Sequence, residues 1–235
     1  MNTKRIFFPF FSLTVFFIIA GCGSNSTEPE ETNIYMSLSV GDIREYFDTG
    51  LEMYQVWEIK EKIKRSDGLD VFVGEWSSSF DTGKYSNYYA ISDNYFIATD
   101  LEKTNNSENP YHEQRLAKIN PKDGDRWLHT IGAADSEKVY FSAKYIGDYK
   151  TLAEDFKDVF GFTVSNIATI YYSKFYGHIG SSSPLDTTFT ISLNYAKVNG
   201  KEIGKFVPFN QLKNLSALKK VSYKTKVNFL GQFTD

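Results

Sequence analysis

The residues able to do covalent or acid–base chemistry in this 235-residue chain are few in kind and scattered. Cys22 is the single cysteine, and a thiolate is the side-chain nucleophile best suited to near-neutral pH. With no second cysteine an intramolecular disulfide is impossible, so the lone thiol needs another explanation. His112, His129 and His178 stand apart, with no His-x-x-x-His spacing and no carboxylate at ligand spacing. They read as surface histidines, and no metal site is expected. Asp123 and Asp125 flank Gly124 but lack the further oxygens and closing Glu of a calcium loop, which leaves a turn. Ser181 to Ser183 follow His178, yet nothing places an acid to orient that imidazole, and the serines read as a loop. No nucleophile elbow, phosphate loop or dinucleotide fingerprint occurs. Asp and Glu total 29, too many to single out a glycosidase pair. The pattern names no catalytic residue, metal ligand or cofactor, and leaves Cys22 as the one chemically committed position.

What surrounds Cys22 says how that thiol is used. Lys4 and Arg5 form a positive start, and Ile6 to Ala20 form an apolar run broken only by Pro9, Ser12 and Thr14. That is signal-peptide architecture, too short for a comfortable bilayer span and ending in small residues. Ile19-Ala20-Gly21-Cys22 resembles the lipoprotein box of bacterial secreted proteins at every position. The resemblance implies a thioether-linked diacylglycerol on Cys22, cleavage before it, and a further acyl chain such as palmitate on the new amino group. The alternative is an ordinary signal peptide with Cys22 as bystander, or a buried thiol. Two or three acyl chains, at about 0.8 kcal/mol per buried methylene, would hold a protein on a membrane without a transmembrane helix. Gly23 is not the aspartate that retains many lipoproteins at the inner membrane, so in a cell with two membranes the resemblance favours the outer one. Glu28, Glu30 and Glu31 lie too far from Cys22 for the usual surface-export signal and read as part of a solvated tether.

The chain therefore divides into a signal peptide (1–21), a disordered tether (22–32) and one β-rich domain (33–235), whose 208–235 portion is the least clearly patterned. Cleavage after residue 21 lowers Lys+Arg from 26 to 24 against 29 Asp+Glu, a net charge of −5. Such a surface offers no basic footprint for nucleic acid. Twenty Phe, 16 Tyr and 3 Trp suit strands, where flat side chains pack across a pleated surface.

Period-two alternation runs through Met53 to Lys64 and resumes at Leu69, Val71 and Val73 after the Ser66-Asp67-Gly68 turn. Strands are also expected over Tyr35 to Phe47 (with a turn at Val40 to Asp42), Lys84 to Ile91, Tyr95 to Thr99, Arg115 to Ile119, Arg126 to Ile131, Lys138 to Ile146 and Ala168 to Tyr176. Thr187 to Val198 pairs through Asn199-Gly200, a strong hairpin signal, with Lys201 to Val207. One helix is predicted over 151–160: Thr151-x-x-Glu154 resembles a capping box, Leu152, Phe156, Val159 and Phe160 share a stripe, and Gly161 sits at a C-cap. A short helix or turn is expected over Asn210 to Lys220, and a last strand over Tyr223 to Phe229.

Two segments share a pattern: Leu38-x-Val40-Gly41-Asp42-x-x-x-Tyr46 and Ile119-x-Pro121-x-x-Gly124-Asp125-x-Trp127. With Tyr171-Tyr172-Ser173-Lys174-x-x-Gly177 and the hairpin from Ala196 to Gly204, they resemble a family of uncharacterised bacterial envelope lipoproteins of the Bacteroidetes type. The resemblance covers Tyr35 to Gly204. The chain departs from it at Ile43 and Arg44, where the first motif favours Trp, and at Phe175-Tyr176 ahead of Gly177. It implies a strongly curved antiparallel sheet similar to the half-barrels of periplasmic lipoprotein carriers. In physical terms glycine supplies a positive φ at a turn, Asp bonds back to the turn backbone, and the following Tyr or Trp fills the core.

The expected fold is mainly β: a strongly curved antiparallel sheet or half-open barrel or sandwich with one or two short helices. The expected function is that of a lipid-anchored, non-catalytic envelope lipoprotein with a binding or structural role. Its partners would be the membrane, through the N-terminal lipid, and an envelope protein or apolar ligand. One alternative is a carrier that holds an acyl chain on the concave face with the 151–160 helix as a lid. Another is an enzyme acting on envelope glycan.

Overall fold

Alternating strands and tight turns produce one antiparallel meander in the computed structural model, which describes residues 34–80, 83–130, 132, 138–164, 167–186, 189–209, 227–228 and 232–233. The strands are β1 (Ile43–Asp48), β2 (Met53–Lys64), β3 (Asp70–Ser78), β4 (Tyr85–Ser92), β5 (Tyr95–Thr99), β6 (Gln114–Lys118), β7 (Arg126–Leu128), β8 (Tyr140–Lys150), β9 (Asp155–Val164), β10 (Ala168–Ser173), β11 (Gly177–Ser182), β12 (Thr190–Val198) and β13 (Lys201–Gly204). Two further two-residue strands, β14 (Val227–Asn228) and β15 (Gln232–Phe233), pair with each other. Each of β1 to β5 pairs with its successor, as does each of β7 to β11, and β12 returns to pair with β1. Twelve antiparallel strands thus form a nearly closed barrel, and β13 adds to the free part of β12.

The single seam lies between β6 and β7, where a few backbone and side-chain bonds replace the missing ladder. Gln114 and Thr130 form an isolated bridge, and the Arg115 N–H donates to His129 O at 2.7 Å. Trp127 Nε1 donates to Arg115 O at 3.1 Å, and Lys118 Nζ meets Asp125 Oδ2 at 2.9 Å. A sheet edge exposes unpaired backbone groups that invite other strands, and this closure removes most of that hazard.

The aromatic excess has its explanation in the barrel interior. More strands enclose a wider lumen, which small aliphatic residues would leave hollow. Here Trp57, Tyr46, Tyr89, Tyr172, Phe96, Phe162, Ile179 and Leu193 are almost wholly buried. Their rings run as a spine across the interior: Phe162–Tyr172 at 5.0 Å, Tyr172–His178 at 5.7 Å, Tyr46–His178 at 4.8 Å, Tyr46–Trp76 at 6.2 Å and Trp57–Trp76 at 6.0 Å. A second, smaller cluster of Val71, Ala90 and Ile97 joins β3, β4 and β5. There Arg65 stacks on Tyr111 at 3.7 Å and pairs with Asp67 and Glu113, both at 2.7 Å.

Three sequence expectations are corrected. The 151–160 helix is absent: Thr151 to Glu154 is the turn between β8 and β9, and 155–164 is strand. Thr151 Oγ1 accepts the Ala153 and Glu154 N–H groups, so the capping chemistry is real but closes a hairpin. The helical spacing arises from a β-bulge. Asp158 has φ +55°, the β8–β9 register slips beside it, and the extra residue puts inward Phe156 and Val159 three apart. Residues 35–40 are not a strand but a lead-in segment whose Tyr35, Met36 and Leu38 are buried. It is pinned at Ile119 O by the Tyr35 N–H (2.9 Å), at Ile34 O by the Phe175 N–H (2.9 Å) and at Asp158 O by the Tyr35 hydroxyl (2.6 Å). Finally, Ser181 and Ser182 belong to β11 rather than to a loop.

Candidate functional site

The lipobox residues Ile19, Ala20 and Gly21, and Cys22 itself, lie outside the described residues, as do the expected helix or turn over 210–220 and most of the expected strand over 223–229. Every other motif residue has a definite place. Gly41 and Gly124 take φ +90° and +81°, with open space where a Cβ would be, so the backbone conformation alone demands glycine.

The two Gly-Asp motifs build the same structure twice. Asp42 Oδ2 accepts the Ser39 N–H at 3.0 Å, and Asp125 Oδ2 accepts the Lys122 N–H at 2.8 Å, each reaching back three residues. The Gly41 N–H donates to Ile59 O and the Gly124 N–H to Ala143 O, while Ile59 and Ala143 donate back to Asp42 O and Asp125 O. One motif therefore registers β1 on β2, and the other registers β7 on β8. Two residues beyond each aspartate a long side chain donates to a distant backbone carbonyl: Arg44 Nε to Tyr176 O at 2.6 Å, and Trp127 Nε1 to Arg115 O. Arg44, a departure from the family pattern in sequence, stands where the second motif has Trp127. Asp125→Ala is expected to lower stability by about 1–2 kcal/mol by orphaning the Lys122 N–H and freeing Lys118. A chemical-denaturation curve with unchanged slope and a lower midpoint checks this.

Tyr46 is buried and donates to His178 O at 3.1 Å. Tyr171 stacks on Tyr149 at 4.2 Å and its hydroxyl lies 2.9 Å from Ser182 Oγ, while Tyr172 points into the barrel. Gly177, at φ +76°, leaves room for Met36 Sδ, which a Cβ would overlap, so this glycine admits the lead-in segment. Pro121 and Gly124 shape the β6–β7 turn, where Asp123 Oδ1 accepts the Tyr145 N–H at 2.7 Å. The two aspartates serve turns, as their spacing suggested.

The histidines are not brought together, and no cluster of metal-ligating side chains occurs among the described residues. His112 is exposed beside Asp100. His129 and His178 are buried, which corrects the surface reading of both. His129 Nδ1 lies 3.3 Å from Arg115 O at the seam. His178 sits in the interior with Tyr46 and Tyr172, and burial pushes its pKa down to about 3, with Arg44 nearby acting in the same direction. The Gly180 backbone acts the other way and raises it, although neither ring nitrogen has a partner at full hydrogen-bond geometry.

Tyr46 and Tyr172 belong to motifs expected at turns and in the core; what sequence patterning missed is that Arg44, Trp57 and His178 join them in the interior. Arg44 is fully buried, its guanidinium carbon 4.9 Å from the Trp57 ring centre. The signal available in sequence was the alternation Asp42, Arg44, Tyr46 on one face of a strand with buried neighbours.

A pH dependence follows from His178. The unfolded chain takes up a proton at the ordinary imidazole value of 6.5, whereas the folded chain resists until about 3. Acidification through that window therefore removes stability, by at most about 1.4 kcal/mol per pH unit. Asp42, Glu45 and Asp48 act oppositely, since burial raises their pKa values and folding favours their protonated forms. The difference between the unfolding profiles of wild type and His178→Phe isolates the imidazole: the variant should lose less stability as pH falls below 6.5.

No protein-family model matches the chain, and no curated protein matches it. Among solved structures the chain is similar to a candidate lipoprotein from Parabacteroides distasonis ATCC 8503. That likeness has a TM-score of 0.40 at 9% identity and covers 70% of this chain and 99% of that one.

Proposed function

We propose that this chain is a bacterial envelope lipoprotein, held on the membrane by acyl chains on Cys22, whose barrel has a non-catalytic binding or structural role. The observation that carries the reading is Ile19-Ala20-Gly21-Cys22 closing an apolar run behind Lys4 and Arg5. Gly23 in place of aspartate makes the outer membrane the destination in a cell with two membranes.

The acyl-carrier alternative draws no support from the interior. The face it needs is occupied by Trp57, Tyr46, Tyr172 and Phe162, and no helix lies over 151–160 to serve as a lid. Mass spectrometry of the mature N-terminus is the test. A diacylglyceryl-modified Cys22 as first residue is expected; an unmodified Cys22, or cleavage elsewhere, overturns the proposal.

A further inference from the structure

Arg44 poses a charge problem that the protein groups around it do not solve. It is 0% exposed, and no carboxylate lies within ion-pair distance of it among the described residues. Its Nε donates to Tyr176 O at 2.6 Å and its Nη2 to Ser37 O at 3.2 Å, which fastens the lead-in segment to the β10–β11 turn. Its Nη1 has no acceptor. Asp42, just before β1, attracts the guanidinium at longer range but makes no direct ion pair with it: its carboxylate accepts the Ser39 and Asn199 N–H groups at 3.0 and 2.8 Å. A buried cation with an unmade hydrogen bond and no direct ion pair is among the more expensive arrangements a protein core can hold.

The unpartnered groups beside it are mostly donors. Tyr172 is 0% exposed and its hydroxyl has no partner; His178 is 2% exposed and neither ring nitrogen has one. These two residues face each other across the β10–β11 ladder, and Tyr176, whose carbonyl holds Arg44, is two residues before His178 on the same hairpin. The neutral imidazole offers one N–H and one acceptor, so with Arg44 Nη1 and the Tyr172 hydroxyl the group has more donors than acceptors and a net positive charge.

We infer that Arg44, Tyr172 and His178 form an internal binding site for a small monovalent anion of halide size. The anion would neutralise the guanidinium, accept from Nη1, the Tyr172 hydroxyl and the imidazole N–H, and so stabilise the clamp on Ser37 and Tyr176. A divalent or bulky anion does not fit, since a single positive charge faces it and Trp57, Tyr46 and Phe162 fill the surroundings. The site is independent of the lipid on Cys22, and its failure would leave the lipoprotein reading untouched.

Unfolding temperature of the full mature chain in detergent, titrated with sodium bromide against sodium gluconate at constant ionic strength, tests the inference. A bromide-specific rise of a few degrees is expected in wild type. Tyr172→Phe keeps the ring volume and removes one donor, so it should fold and show a much smaller rise. Arg44→Met should show none if it folds. Crystals soaked in bromide should give an anomalous peak within hydrogen-bond range of Arg44 Nη1. Water there without an anomalous peak, or equal responses to bromide and gluconate, overturns the inference.

Discussion

Cys22→Ser should abolish lipid attachment and move the protein from the membrane fraction to the soluble fraction. A serine hydroxyl is a far weaker nucleophile than a thiolate near neutral pH and cannot form the thioether. Two acyl chains bury enough methylenes, at about 0.8 kcal/mol each, to make release from the bilayer negligible; without them that contribution vanishes entirely. Little else in the described residues would substitute. No helix among them is long and apolar enough to cross a membrane. The strands carry charged pairs such as Lys60–Glu58 at 2.6 Å, Lys62–Asp70 at 2.7 Å and Lys84–Glu75 at 2.6 Å. Charges placed so do not make the apolar band of a membrane-spanning barrel. Incorporation of labelled palmitate and fractionation of wild type and variant give the readout. A serine variant that stays labelled and membrane-bound would refute the anchor.

Gly74→Val should be the most damaging single change inside the barrel. Gly74 lies on β3, and a Cβ there would overlap Trp57 Nε1 and come within 2.7 Å of Tyr89 Cε2. Both rings are locked by neighbours: Trp57 by Arg44 and Trp76, and Tyr89 by Phe96 and the 3.1 Å bond from Trp76 Nε1. Overpacking a filled core costs about 1–3 kcal/mol, and valine at a site too tight even for a methyl belongs at the top of that range or beyond it. For a domain of this size each kcal/mol shifts the unfolding temperature by roughly 2–4 °C, so a fall near 10 °C is expected. The same experiment bears on function. A hollow, ligand-holding barrel would absorb the added isopropyl group with little loss, and an unchanged unfolding temperature would revive the carrier alternative.

The features legible in the chain are those fixed by neighbours in sequence. Asn199 and Gly200 adopt φ +48° and +81°, as their pairing in a tight hairpin requires, and Gly68 closes its turn at +93°. The Gly41-Asp42 and Gly124-Asp125 motifs were readable as turn, cap and core because an aspartate three residues from its own N–H partner needs nothing remote. The interior was not legible. That Arg44 meets Tyr176, or that His178 lies under Tyr46, depends on β12 returning to β1, a pairing between segments about 150 residues apart. The helix expected at 151–160 failed for a related reason. A bulge at Asp158 counterfeits the spacing of a helical stripe, and only the β8 ladder opposite identifies it as strand.

By itself, then, the sequence determined a β meander and where its turns fall, since those follow from backbone preference and period-two alternation within short stretches. It also carried the Ile19 to Cys22 pattern on which the proposed anchor rests, and such a pattern would be read by a processing enzyme as extended chain without any fold. The tertiary structure alone decided that twelve strands close into a barrel, that aromatic rings fill it, and that an arginine without a direct ion pair ends up at its heart. Closure and burial come from side chains that meet only after the whole chain has wrapped, and no local pattern encodes which of them will touch.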